Sequence, residues 1–279
     1  MLYKKWRLVF PFCFNIEFLR KEILGMQELT DIQKKVLEFR LIDDAYFEVF
    51  ADDVPTCQEM LRIILSGPLL IVKDVIVQRS ERNLYGRSVR LDALCILGNG
   101  SHVNIEIQRA DNDNHLKRAR YNASMITSKI LEPGERYENV TDVYIVYISE
   151  HDFLEGKKTI YHVDKVLRET GTVIDDGLHE IFVNIFINDG TDIAEMMSCF
   201  MKKDFENSKF PNMTARNRYL KDPKGGMQEM CTIMEEVKAE GRAELAETIK
   251  ALKNGVTKEE LLKMGINPET ITLAEELIS

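Results

Sequence analysis

The sequence predicts an α/β domain over residues 26–207, followed by a linker and helical C-terminal extension over 208–279. Three observations carry that prediction. Two strand-like runs, Val89–Leu97 and Ser101–Arg109, are joined by Gly98-Asn99-Gly100, a strong hairpin signal. Val140–Ile148 is a nearly continuous apolar run, the pattern of a strand buried on both faces. Between them, residues 111–131 have the spacing of an amphipathic helix, stopped by Pro133-Gly134.

The other elements follow in chain order. Apolar residues from Thr30 to Ala51 (Val36, Leu37, Ile42, Tyr46, Phe47, Phe50) recur at helical spacing and predict one helix. Pro55 suits the start of a second, Thr56–Ser66, closed by Gly67-Pro68. Leu70–Arg79 is rich in β-branched residues and reads as a strand, with Glu81–Arg87 a polar loop. Thr159–Val166 and His179–Ile187 are two more expected strands, and Asp192–Met201 a helix capped by Thr191 or Asp192. After Asn207 the composition turns polar, and Gly225-Gly226 marks a break. Met227–Lys253 is then a long charged helix with Gly241 inside it, followed by short helices Thr257–Met264 and Pro268–Leu277. Thr257 to Glu260 has the form of a capping box.

Composition sets limits on function. A chain of 279 residues with 44% apolar content can fill one substantial core and leave a small appendage. The net charge of −9 argues against a protein that coats nucleic acid along its whole surface, although a local basic face is enough for binding. No run of about 18 apolar residues occurs, so no membrane partner is expected. Cys13, Cys57, Cys95, Cys199 and Cys231 are dispersed without a CxxC pair, which fits reduced thiols in a cytoplasmic protein. At the N-terminus, Lys4, Lys5 and Arg7 precede Leu8–Phe14 as in a short signal peptide. Polar residues interrupt that run and no small-residue cleavage site follows. Met26 opens a more ordinary beginning, so residues 1–25 are expected to be a leader outside the fold.

The hairpin carries the chemistry. With a three-residue turn, Asp92 lies opposite Glu106 and Arg90 opposite Gln108. A two-residue turn at Asn99-Gly100 would shift the register by one and send Glu106 to the other side. Alternation decides between them. Leu91, Ala93, Cys95 and Leu97 share one face with Val103, Ile105 and Ile107 only in the first register. Two carboxylates facing across a strand pair, with Cβ atoms about 5 Å apart, repel unless one is protonated or a cation lies between them. Such oxygen ligands suit Mg²⁺ or Mn²⁺, the ions that promote hydrolysis of phosphodiester bonds. Gln108 shares the face of Glu106 and is placed to orient a water or contact a phosphate.

Carboxylate, hairpin turn, Asn104-Ile-Glu106-Ile-Gln108, then a helix bearing Arg118-Ala-Arg120-Tyr121, resembles the PD-(D/E)xK nuclease superfamily. It is most similar to the PD-(D/E)xK family transposases, also described as recombination-promoting nucleases. The resemblance runs from about Asp43 to Ile148. It implies a restriction-endonuclease-like three-layer α/β/α core with a mixed sheet and a Mg²⁺-dependent endonuclease acting on DNA. Asp92, Glu106 and Gln108 would then be catalytic, with Asp92 and Glu106 as metal ligands. Gln108 stands where the superfamily has lysine, and Leu91 where it has proline. Asp43 and Asp44 read first as helix-surface acids, and the resemblance offers Asp44 as a third carboxylate.

Around this hairpin, Arg90, Arg118, Arg120 and Tyr121 are the expected DNA contacts, Arg118 and Tyr121 sharing a helix face. Lys117 and Lys129 read equally as a solvated face. Arg79, Arg82, Arg87 and Arg90 form a basic cluster at the loop entering the hairpin. His102, His151, His162 and His179 have no ligand spacing. In the extension, Met227, Met230, Ile233, Met234, Val237 and Leu245 form an apolar stripe that suggests a homodimer through the C-terminal helices. Two other readings compete: a non-catalytic nucleic-acid- or partner-binding protein of the same fold, and an oligomerising scaffold built on that stripe.

Overall fold

A computed structural model describes residues 29–81, 89–109 and 114–278. The leader and the side chains of Arg79, Arg82 and Arg87 lie outside the described residues. The chain begins with helices α1 (Asp31–Glu38), α2 (Asp44–Ala51) and α3 (Val54–Ile64), then strands β1 (Val72–Glu81), β2 (Val89–Leu97) and β3 (His102–Gln108). Helix α4 (His115–Thr127) leads to β4 (Val143–Ser149), β5 (Ile160–Val163), β6 (Lys165–Leu167), β7 (Thr172–Ile174) and β8 (Leu178–Asn184). Helices α5 (Asp192–Phe200), α6 (Pro211–Lys221), α7 (Met227–Lys253), α8 (Lys258–Lys263) and α9 (Pro268–Ile278) complete it.

Six strands form one mixed sheet in the order β1-β2-β3-β4-β8-β5. The first three pair antiparallel, β4 lies parallel to both β3 and β8, and β5 runs antiparallel at the edge. The apolar run predicted as a doubly buried strand is β4, in the middle of the sheet. Apolar side chains from α2, α3, α5 and α6 fill one face against Ala93, Cys95, Val103, Ile105 and Val146. On the other face, Ala119, Ala123 and Ile126 of α4 pack on Ile145, Tyr147 and Phe182. The result is the expected three-layer α/β/α core.

The three-residue turn forms as read. Leu97 N–H donates to Ser101 O (2.9 Å) and Gly100 N–H to Leu97 O (3.0 Å), with Gly100 at φ +89°. Ala93 therefore faces Ile105 and Cys95 faces Val103. Leu91 departs from the expected alternation and packs with Leu94 against the α4 side. The ladder's last matched pair on that side is Ala93 with Ile105, so the strands open just where the two acids stand.

Several expectations need correction. Thr30–Ala51 is two helices, not one. Thr30 caps α1 with a full capping box, and the chain turns at Phe39–Asp43. There, Asp43 Oδ2 accepts from Arg40 N–H (2.8 Å), while Lys221 Nζ donates to Leu37 O (3.2 Å) and Phe39 O (2.8 Å). Thr159–Val166 divides into β5 and β6, and β6 pairs with β7 in a separate two-stranded ribbon. Helix α6 occupies the stretch read as a linker, and its Met213 and Leu220 lie in the main core. Met227 and Met230 of α7 are also buried there, with Ile233 and Met234 packed against it. Much of the stripe that suggested a second subunit is thus covered by the chain itself. No helix among the described residues is long and apolar enough to cross a membrane. Cys57, Cys95, Cys199 and Cys231 are buried free thiols.

Candidate active site

At the opening between β2 and β3, the two acids replace part of the backbone ladder. Asp92 Oδ2 accepts from Ile107 N–H (2.9 Å), and the Asp92 amide in turn favours the charged form of Glu106. Glu106 is fully buried. Its Oε1 accepts from Asn104 Nδ2 (3.0 Å) and its Oε2 from Arg118 Nη2 (3.1 Å). Asn104 sits two residues earlier on the same face of β3, and its own Oδ1 is buried without a partner.

Arg118 links the strand residues. Its Nη1 donates to Gln108 Oε1 (2.7 Å) while Nη2 holds Glu106. Asn114 caps α4 by accepting from Lys117 N–H (3.0 Å), which fixes the first turn and brings Arg118 over β3. From the other layer, α2 begins with Asp44, whose charge acts on Asp92 and on which Arg118 acts in turn. An ion-pair cluster anchors this helix end: Arg109 Nη1 meets Asp43 Oδ1 at 2.8 Å and its Nε approaches Glu150 at 3.7 Å. One turn along α2, the half-buried pair Glu48–Arg90 spans 3.5 Å.

Electrostatics make the acids costly to ionise. Burial pushes the Asp92 carboxyl well above the ordinary carboxylate range, and the negative charge of Glu106 raises it further. Burial also raises Glu106, opposed by Arg118 and by the hydrogen bond from Asn104. Asp44 is raised by burial and lowered by Arg118. All three acids therefore lie in the field of the Arg118 guanidinium, and Asp44 is also lowered by Arg109.

The donor set fits a hard divalent cation: the half-buried Asp92 and buried Glu106 carboxylates, beside an unpartnered amide oxygen, Asn104 Oδ1. Asp44 does not converge with them into a ready-made triad. Among the described residues no group of three or more His, Cys, Asp or Glu is placed to hold a metal ion.

The predicted residues separate into two sets. Asp92, Glu106, Gln108, Arg118 and Asp44 share one neighbourhood. Arg90 is engaged with Glu48 at its margin. Tyr121 is half-buried one turn beyond Arg118. Arg120 is exposed and turned elsewhere, beside Leu178 and acting on Glu180, so it does not reach the acids. Asn104, quoted in the motif without a role of its own, and His115, noted only among the basic residues of the helix, belong to the site, as does Tyr147, which the sequence reading did not single out. Tyr147 OH lies 3.4 Å from Gln108 Oε1 and 2.9 Å from His115 Nδ1. A tyrosine at Tyr147, in the mostly apolar central strand, was the available signal, since a buried hydroxyl needs a partner. A cavity of about 710 Å³ lies at the opposite end of the sheet against Leu65, Leu70, Tyr144 and His179, away from the acids.

No curated protein and no solved structure matches the chain. A family model does, described as PD-(D/E)XK nuclease family transposase, over residues 59–209, which spans β1 to β8 and all the strand residues of the site. The match covers more than half of the sequence, and the chain belongs to the PD-(D/E)XK nuclease family transposases.

Proposed function

We propose that the protein is a metal-dependent DNA endonuclease that hydrolyses phosphodiester bonds and serves recombination or mobile elements. The single observation that carries the reading is the pair of half-buried Asp92 and buried Glu106 at the strand opening, with Arg118 bridging Glu106 to Gln108. Mg²⁺ or Mn²⁺ held by Asp92 and Glu106 would supply Lewis-acid polarisation of a phosphoryl oxygen and a bound water of lowered pKa. Arg118 neutralises part of the charge on Glu106 and offers a cation to a phosphate. Gln108 supplies a neutral hydrogen-bonding group beside the acids. Asp44 contributes negative potential from the α2 side. Arg90 and Tyr121 stand at the margin, placed for DNA backbone contact. Self-association that aids cutting of both strands has to use surface other than the covered part of the α7 stripe.

The test is plasmid nicking by the full chain in magnesium, compared with Asp92→Asn and Glu106→Gln. These variants keep the shape and remove the charge. Each is expected to lower nicking at least about 100-fold, the scale of losing an electrostatic contribution to the transition state, with melting temperature kept or raised. A variant that nicks at the wild-type rate would place the chemistry elsewhere. DNA retention without cleavage by the wild-type chain would favour a binding protein of the same fold.

A further inference from the structure

Asn104 holds a place in β3 where an aliphatic side chain would be the ordinary choice. Its neighbours across the ladder are Leu94 of β2 and Ile145 of β4, and both belong to the apolar cluster packed against α4. Facing residues on adjacent strands share one side of the sheet, so the Asn104 amide lies among aliphatic groups. It is wholly buried, and its Oδ1 has no hydrogen-bond partner. A buried polar atom left in that state costs stability. The bond that the amide does make runs from Nδ2 to Glu106 Oε1, at 3.0 Å. The two residues stand two apart on one strand and on one face, so the sheet itself sets that distance.

Glu106 has a donor on each carboxylate oxygen, Asn104 on Oε1 and Arg118 on Oε2. The two donors differ in kind. The Arg118 guanidinium is charged, partly exposed and reaches in from α4. Asn104 is neutral and belongs to the interior of the sheet. A neutral donor orients a carboxylate without cancelling the negative charge that attracts a cation.

We propose that Asn104 is a positioning residue for Glu106. Through Nδ2 it fixes the rotation of the carboxylate and presents it to the divalent cation, at a cost in stability that falls on Oδ1. This inference rests on the reading of Asp92 and Glu106 as a metal-binding hydrolytic site, and its test separates the two.

Asn104→Leu keeps the branched shape and removes both the donor and the unpartnered oxygen. In chelator, the full-length variant is expected to melt at or above the wild-type temperature. Mn²⁺ titrated calorimetrically into the full chain without DNA should bind about 10–100-fold more weakly to the variant, the scale of losing a hydrogen bond to a metal-ligating group. In nicking kinetics kcat should fall by a similar factor, with KM for DNA nearly unchanged. Asn104→Asp keeps an oxygen at the Oδ1 place and removes the N–H, so it should bind Mn²⁺ more weakly as well. Binding kept or strengthened in Asn104→Asp overturns the proposal, because the oxygen is then the working end. Binding that weakens only in step with a fall in melting temperature overturns it too. If neither variant folds, the wild-type chain decides. Its Asn104 side-chain NH₂ resonances, assigned through bonds in ¹⁵N-labelled protein, are expected to shift on saturation with Mg²⁺, and fixed resonances overturn the proposal. Wild-type Mn²⁺ affinity in Asn104→Leu, alongside lost nicking in Glu106→Gln, removes the positioning role and leaves the nuclease reading intact. A wild-type chain that binds Mn²⁺ without nicking DNA sinks the nuclease reading, and the variant affinities still decide the role of Asn104. A wild-type chain that binds no Mn²⁺ overturns both.

Discussion

Asp92 and Glu106 are held where ionisation is unfavourable, and that has a measurable consequence at the scale of single residues. Both pKa values are raised, chiefly by burial, so the folded chain binds more protons than the unfolded chain above the ordinary carboxylate range. The sign follows from linkage. Their contribution to stability is fully present at acidic pH, below the unfolded values, and is lost as pH rises through the raised folded values. A cation bound only by the folded, ionised pair opposes that loss at neutral pH and does nothing where the acids are protonated. Thermal melting of the wild-type chain and of the double variant Asp92→Asn, Glu106→Gln, with chelator and with magnesium, measures it. In chelator the wild type is expected to lose stability relative to the variant as pH rises, and magnesium should narrow that gap at neutral pH alone. A gap that is flat with pH and indifferent to magnesium would mean that these acids neither titrate above the usual range nor bind the ion.

At the scale of elements, the glycines of α7 make opposite demands. Gly241 faces open space, where an added Cβ meets nothing within 4 Å. Gly241→Ala is therefore expected to stabilise the chain by about 1 kcal/mol, the helix-propensity difference alone. Gly226, at the entry to α7, has its Cβ position 2.6 Å from Tyr219 Cε1 and 2.9 Å from Leu220 Cδ2. Gly226→Ala should cost about 1–3 kcal/mol, as overpacking does. Denaturant unfolding of the two variants checks both signs, and a destabilising Gly241→Ala would refute the open placement of that position. The same scale shows what could be read from sequence. The hairpin register and the facing acids were legible because period-2 alternation and a glycine turn are local signals. The break between α1 and α2 was not, because the apolar spacing continues through it. What holds the turn includes Lys221, which reaches the carbonyls of Leu37 and Phe39 from about 180 residues away. Helix α6 was hidden by a polar composition, since only a few of its residues, among them Met213 and Leu220, face the core. Gln108 was legible beside Glu106, whereas its neighbours Tyr147 and His115 meet it only through the parallel pairing of β3 with β4 and the packing of α4.

For the whole molecule, the extension predicted as an appendage is joined to the domain by its core. Phe210, Met213 and Leu220 of the α6 region and Met227, Met230 and Cys231 of α7 lie in the same cluster as Val36, Tyr46 and Phe50. Asn217 Oδ1 accepts from the buried Tyr46 OH at 2.7 Å, and Tyr46 belongs to α2, the helix that begins at Asp44. Through α2 the C-terminal helices support one wall of the proposed site. Removing residues 227–279 uncovers that part of the core, and burying a methionine or comparable side chain contributes about 1.5–3 kcal/mol. Three such residues amount to several kcal/mol, a large share of the net stability of an ordinary domain. A chain ended at Gly226 is therefore expected to melt far below the full chain, or to lose its cooperative transition, and to nick DNA weakly. An appended dimerisation element predicts a different outcome: an unchanged melting curve together with a halved mass in light scattering. That result would detach α7 from the core and restore the two-part organisation read from the sequence.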